Sequence, residues 1–145
     1  MSKKKILFVI TEDWYFLSHR LPIALEAIKN GYDVTLLCKI NDKRKIIESY
    51  GINLVDWKIN RGSKNVFKDF YSIYLIYKNI KKIKPNLIFS VAAKPVLYTS
   101  FISKIINFKN NVYTFAGMGN LFNSKDLFSN ILIKIYIILI GFNFK

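Results

Sequence analysis

"VITEDWYFLSHRLP" (residues 9–22) starts as the tail of an apolar strand and finishes at a proline suited to the first turn of a helix. Between those ends lie Glu12 and Asp13, the aromatics Trp14, Tyr15 and Phe16, and His19, the single histidine of the chain, with no glycine. A connector that only reverses the chain uses Gly, Asn, Asp or Ser, which supply the backbone angles of a tight turn. This stretch reads instead as a strand-to-helix loop built to present side chains.

Two hydrophobic periods alternate along the chain. "KILFVI" (5–10), "DVTLLC" (33–38), "INLVDW" (52–57), "NLIFSV" (86–91) and "NNVYTF" (110–115) are short, rich in β-branched or aromatic residues and mostly continuous. Strands buried on both faces of a parallel sheet have that character. Between the first two, Leu21, Ala24, Leu25 and Ile28 repeat at helical spacing, and Gly31 stands where a left-handed cap is expected. A short helix is expected around 43–50, ending at Gly51. Val66, Phe70, Ile73, Tyr77 and Ile80 form a further apolar stripe that stops before Pro85, and "KPVLYTSFISKIIN" (94–107) gives another helix with Pro95 in its first turn. The alternation predicts an α/β fold, a doubly wound, Rossmann-like parallel sheet whose ligands gather at the carboxyl ends of the strands. The loop after the first strand then lies beside the switch point.

With 145 residues, 52% of them hydrophobic, the chain fits one domain with a real core. Cys38 is alone, so no intramolecular disulfide can form and a reducing, cytoplasmic location is expected. The basic start "MSKKKILFVITED" leads directly into charge without a small-residue cleavage site, so no signal peptide is read. The net charge of +14 suits nucleic acid, an anionic membrane surface or a phosphorylated ligand, and abundant Lys, Ile and Asn also follow from an AT-rich genome alone.

Several chemistries drop out. Residues 11–19 lack the glycines that a dinucleotide pyrophosphate needs in the first turn. "AGMGNLF" (116–122) carries Gly117 and Gly119 but has Phe122 where a third glycine belongs, so the pair serves either a close ligand approach or a tight turn. One histidine and one cysteine make no metal cluster, and no G-x-S-x-G nucleophile elbow occurs. Arg20, two residues before Pro22, and Lys94, next to Pro95, each stand at an expected helix start, where the dipole opposes a cation and favours a bound anion. Both are therefore candidate phosphate ligands converging at one sheet edge. "KNIKKIK" (78–84) ends a helix, where positive charge suits the dipole, and reads as a solvated terminus with a possible membrane role.

The segments 8–36, 85–100 and 114–124, carrying T-E-D-W-Y-F-x-S-H-R-L-P, K-P-V-L-Y and A-G-x-G-x-x-F, together resemble the N-terminal domain of family-4-like bacterial glycosyltransferases. The subgroup they are most similar to extends lipid-linked O-antigen, capsule and related glycans. Met118 and Asn120 stand where the family more often has Leu and Tyr.

That resemblance implies the first half of a two-domain GT-B enzyme, retaining and without an essential metal or cofactor. The N-terminal half receives the acceptor and the C-terminal half binds the nucleotide sugar. Residues 1–145 are expected to form the acceptor-side domain, incomplete at its C-terminus, with the donor domain absent and no transfer by the chain alone. Its partners would be a nucleotide sugar, a lipid-linked glycan and an anionic membrane on the inner face of the plasma membrane, not nucleic acid. "LFSNILIKIYIILIGFNFK" (127–145) reads as a helix that packs on missing structure or else as an interfacial anchor. His19 is the candidate catalytic residue, and Glu12, Asp13, Trp14, Arg20, Lys94, Gly117 and Gly119 the candidate substrate contacts. A GT-B sugar-nucleotide epimerase and a non-catalytic subunit pairing with a separate donor domain share the same features.

Overall fold

The computed structural model describes residues 3–57, 59 and 66–115. Five strands form one sheet: β1 (Lys5–Glu12), β2 (Asp33–Lys39), β3 (Asn53–Asp56), β4 (Leu87–Val91) and β5 (Asn111–Thr114). Their order is β3-β2-β1-β4-β5, with every pairing parallel. The expected doubly wound sheet is therefore present, and each anticipated strand lies where the apolar runs put it.

Burial explains why those runs are continuous. Ile6, Phe8 and Ile10 of β1 face one core with Val34, Leu36 and Cys38 of β2, while Leu7 and Val9 face the other with Leu37 and Ile88. A strand covered on both sides has no solvent face to alternate with. Burying each such side chain contributes about 1.5–3 kcal/mol.

The first core is covered by α1 (Asp13–His19), α2 (Leu21–Lys29) and α3 (Arg44–Ser49). The second is covered by α4 (Val66–Ile83) and α5 (Ala93–Ile105). Pro22 sits at the start of α2, and Gly31, at φ 83°, follows that helix as expected. On α2 the buried stripe is Ala24 with Leu21, Ala27 and Ile28, whereas Leu25 turns outward.

The stripe expected on α4 is met in part: Ile73 and Ile80 pack on the core, but Phe70 and Tyr77 do not. Ser72, Ile76 and Ile80 are the buried positions, with Ile73 and Ile83 packed beside them. Phe70 is 64% exposed and Tyr77 37% exposed. Aromatic residues on both flanks of the helix blur the phase of the hydrophobic pattern, and only packing on the sheet decides which flank turns inward.

Candidate functional site

The strand order reverses between β1 and β4, so the carboxyl ends of these strands bound the crevice where open α/β sheets bind ligands. The segment after β1 is not a loop. Residues 13–19 form α1, a seven-residue helix entered directly from extended Glu12. The missing glycines have a plain cause, since a chain passing from strand to helix without a turn requires no positive φ. Asp13 in the first turn and His19 in the last also suit the helix dipole.

The three aromatics of α1 divide by helical geometry. Phe16 is fully buried, edge-on to Phe8 with ring centroids 5.8 Å apart, and pins the helix to the sheet. Trp14 is 47% exposed. Tyr15 lies between, its ring stacked on His19 at 4.4 Å and 10°. His19 is exposed, and its Nδ1 lies 2.6 Å from Ser18 Oγ, which also reaches the carbonyls of Trp14 and Tyr15. When the hydroxyl proton goes to either carbonyl, Ser18 accepts from Nδ1–H and leaves a lone pair on His19 Nε2. Tyr15 and Ser18 thus hold an exposed imidazole in one orientation in the last turn of α1.

Asp13 organises the base of this helix. Its Oδ1 accepts from Trp14 N at 2.8 Å and Asn41 Nδ2 at 2.8 Å, and its Oδ2 from Asn41 N at 2.7 Å and Lys43 N at 3.2 Å. Burial pushes the carboxyl upward, but the hydrogen bonds from Asn41, Lys43 and Trp14 outweigh that and hold it below the ordinary value of 3.8. Glu12 Oε2 accepts from the same Asn41 Nδ2 at 3.0 Å. Neighbouring residues of an extended segment point to opposite faces, yet these adjacent acids are tied to one amide. Both of Asp13's oxygens are occupied by the protein, and Asn41, which nothing in the sequence marks, joins the β2–α3 turn to the site.

The expected convergence of Arg20 and Lys94 does not occur. Arg20 opens α2 on one face of the sheet, and Lys94 lies in the first turn of α5 on the other. Successive crossovers on either side of β1 impose this separation. Lys94 Nζ pairs with Asp69 Oδ1 of α4 at 3.0 Å, and Tyr98 Oη donates to the same oxygen at 2.7 Å. Arg20 Nη1 donates to the His19 carbonyl at 3.3 Å, while its buried Nε has no partner among the described residues. Gly117 and Gly119 lie outside the described residues, as does the apolar stretch 127–145.

Backbone strain marks the other wall of the crevice. Ala92, between β4 and α5, has φ 77° and ψ 164°, a region that essentially only glycine occupies at ease. Its N–H donates to Thr114 O and its carbonyl accepts from Val96 N, so the strand end and the helix start both hold the strained residue in place. Cys38, buried at the end of β2, has its thiol pushed far up by desolvation and then by Asp13, Asp56 and Glu12, which fits a small apolar core residue and not a nucleophile. Among the described residues, no group of three His, Cys, Asp or Glu side chains could hold a metal ion. No described helix is long and apolar enough to cross a membrane.

Fold and crevice define a Rossmann-like α/β domain of the kind that binds its ligand at the carboxyl edge of a parallel sheet. The chain belongs to the glycosyl transferase 4-like family, whose profile matches residues 5–145. Its fold resembles that of MurG from Acinetobacter baumannii, at 12% identity and TM-score 0.60, over 76% of this chain and 33% of that one. It also resembles UDP-GlcNAc 2-epimerase from Neisseria meningitidis, solved bound to UDP-GlcNAc, at 14% identity and TM-score 0.64, over 93% and 38%. The third is CalG4, the calicheamicin glycosyltransferase, at 13% identity and TM-score 0.57, over 99% and 43%. The chain therefore spans between 33% and 43% of the length of these proteins. No curated protein matches it. Family and fold together agree with the expected N-terminal GT-B glycosyltransferase domain.

Proposed function

We propose that residues 1–145 form the acceptor-side domain of a retaining glycosyltransferase, moving a sugar from a nucleotide sugar held by a donor-side domain to a lipid-linked glycan at an anionic membrane. The observation that carries this reading is α1, a helix entered directly from the carboxyl end of β1 in a glycosyl transferase 4-like domain, on which Trp14 and His19 are exposed. Trp14 stacks on acceptor sugar, as an exposed indole on a rigid helix suits. His19 exchanges a proton with the acceptor through Nε2, the ring nitrogen that the Ser18 contact at Nδ1 leaves open. Arg20 meets anionic charge from the α2 side, and Lys94, which pairs with Asp69, does so separately from the α5 side. Glu12 takes acceptor hydroxyls, Asp13 contributes by fixing the first turn of α1, and Gly117 and Gly119 permit close backbone approach.

The fold it shares with a UDP-GlcNAc 2-epimerase supports a second reading, in which the crevice serves a sugar nucleotide alone. One set of assays separates the readings. Residues 1–145 incubated with nucleotide sugars and polyprenyl-diphosphate acceptors are expected to show no transfer, because half a cleft neither orients both substrates nor excludes water. Joined to a donor-side domain they are expected to transfer, and His19→Ala should then lower turnover by roughly 100-fold or more. Protein-dependent transfer by residues 1–145 alone, or epimerisation without transfer by the joined protein, would overturn the proposal.

A further inference from the structure

The aromatic residues that α4 leaves uncovered form a surface of their own. Phe70 is 64% exposed, Tyr71 61%, Tyr74 55% and Tyr77 37%. Ser72, Ile76 and Ile80 face the core, so the four rings occupy the opposite, outward flank at helical spacing. Single exposed apolar residues need no explanation, but four on one helix flank make a patch of the kind that marks an interaction surface.

The last turns of the helix narrow the partner. Lys78, Lys81 and Lys82 are exposed, and Lys81 Nζ lies 5.7 Å from the Tyr77 ring centroid. The only acid of α4, Asp69, turns to Lys94 and Tyr98, and among the described residues no ion pair engages Lys78, Lys81 or Lys82. The outward flank thus combines rings and cations with no negative charge. A second copy of a +14 chain docking here would set these lysines against their own counterparts, which like-charge repulsion opposes. An anionic bilayer suits both parts, because tyrosine rings settle at the head-group level and lysines are drawn to its negative surface.

Position agrees with chemistry. Asp69 reaches Lys94 in the first turn of α5, just past β4, so the aromatic half of α4 is the half nearest the crevice. Neighbouring α5 adds exposed Phe101 and Ile105 to the same layer. We infer that the outward flank of α4, Phe70, Tyr71, Tyr74 and Tyr77 with Lys78, Lys81 and Lys82, is a docking surface for an anionic lipid bilayer that brings the crevice to the membrane. This inference rests on the membrane part of the proposed function and is independent of sugar transfer, which flotation does not read.

The full chain is tested by flotation with vesicles of phosphatidylglycerol and phosphatidylcholine in equal parts, against phosphatidylcholine alone. Phe70→Ser with Tyr74→Ser, and Lys78→Glu with Lys82→Glu, are compared with Lys29→Glu plus Lys45→Glu, two exposed lysines on the opposite layer. Far-UV circular dichroism and thermal unfolding confirm that each variant is folded. Binding to the anionic vesicles should fall as salt rises, and by roughly tenfold or more in both α4 variants. The control lies on the far side of the sheet, where salt screens it from the lipid, and should change less than about twofold. Equal binding to both vesicle types, α4 variants that float like the parent, a control that falls as far as they do, or a parent that does not float would each overturn the inference.

Discussion

Phe16→Ala is expected to destabilise the domain by about 3–5 kcal/mol, the usual cost of emptying a buried phenylalanine site. Phe16 is fully buried, and its ring meets Phe8 edge-on at 5.8 Å. It is also the only fully buried aromatic of α1, a helix too short to persist without tertiary contacts. Trp14→Ala, two residues earlier on the exposed side, should stay within about 0.5 kcal/mol of the parent. Urea unfolding of both variants measures the contrast. A cost below about 1 kcal/mol for Phe16→Ala would mean that something other than this ring holds α1 to the sheet.

The second large effect is electrostatic. Asp13→Ala leaves the N–H groups of Trp14, Asn41 and Lys43 and the Asn41 side chain without their shared acceptor. Hydrogen bonds to a charged group contribute about 1.5–3 kcal/mol each, and water recovers part of that at a half-open edge, so a net loss of about 3 kcal/mol is expected. For a chain of this size that lowers Tm by roughly 6–12 °C. The sign with pH is set by the depressed carboxyl. Its contribution is fully present above the unfolded-state value, near 3.8, and is lost as pH falls through the lower folded value. Asp13→Asn should therefore lose less stability than the parent as the medium is acidified below about pH 4. Parallel acid limbs for the two proteins would show that Asp13 is not the group responsible.

The sequence made the sheet legible because five continuous apolar runs can hardly be anything but doubly covered strands. Gly31, Pro22 and Pro95 mark helix ends through backbone chemistry that acts locally, and they lie where that chemistry puts them. Long-range terms decided the rest. A seven-residue helix offers too few turns for a period to stand out, so α1 reads as a loop until Phe16 is seen under it. Asn41 enters the site only because β1 and β2 lie side by side, which brings residues 28 positions apart into hydrogen-bonding distance. Arg20 and Lys94 look alike beside their prolines, yet the alternating faces of a doubly wound sheet send them apart. Ala92 carries no signal at all, since an alanine held in a glycine conformation is imposed by the strand and helix around it.

An acceptor bound against α1 must cover Trp14, and the two tryptophans of the chain provide the test. Trp57 is fully buried and Trp14 is 47% exposed, so iodide should quench only the fluorescence of Trp14. Quenching is measured in detergent micelles with rising amounts of a polyprenyl-diphosphate-linked sugar, and in parallel with the same micelles lacking it. The lipid-linked sugar is expected to protect Trp14 saturably, and Trp14→Phe to abolish the signal. Quenching that stays the same at every concentration of the acceptor would contradict an acceptor site on α1.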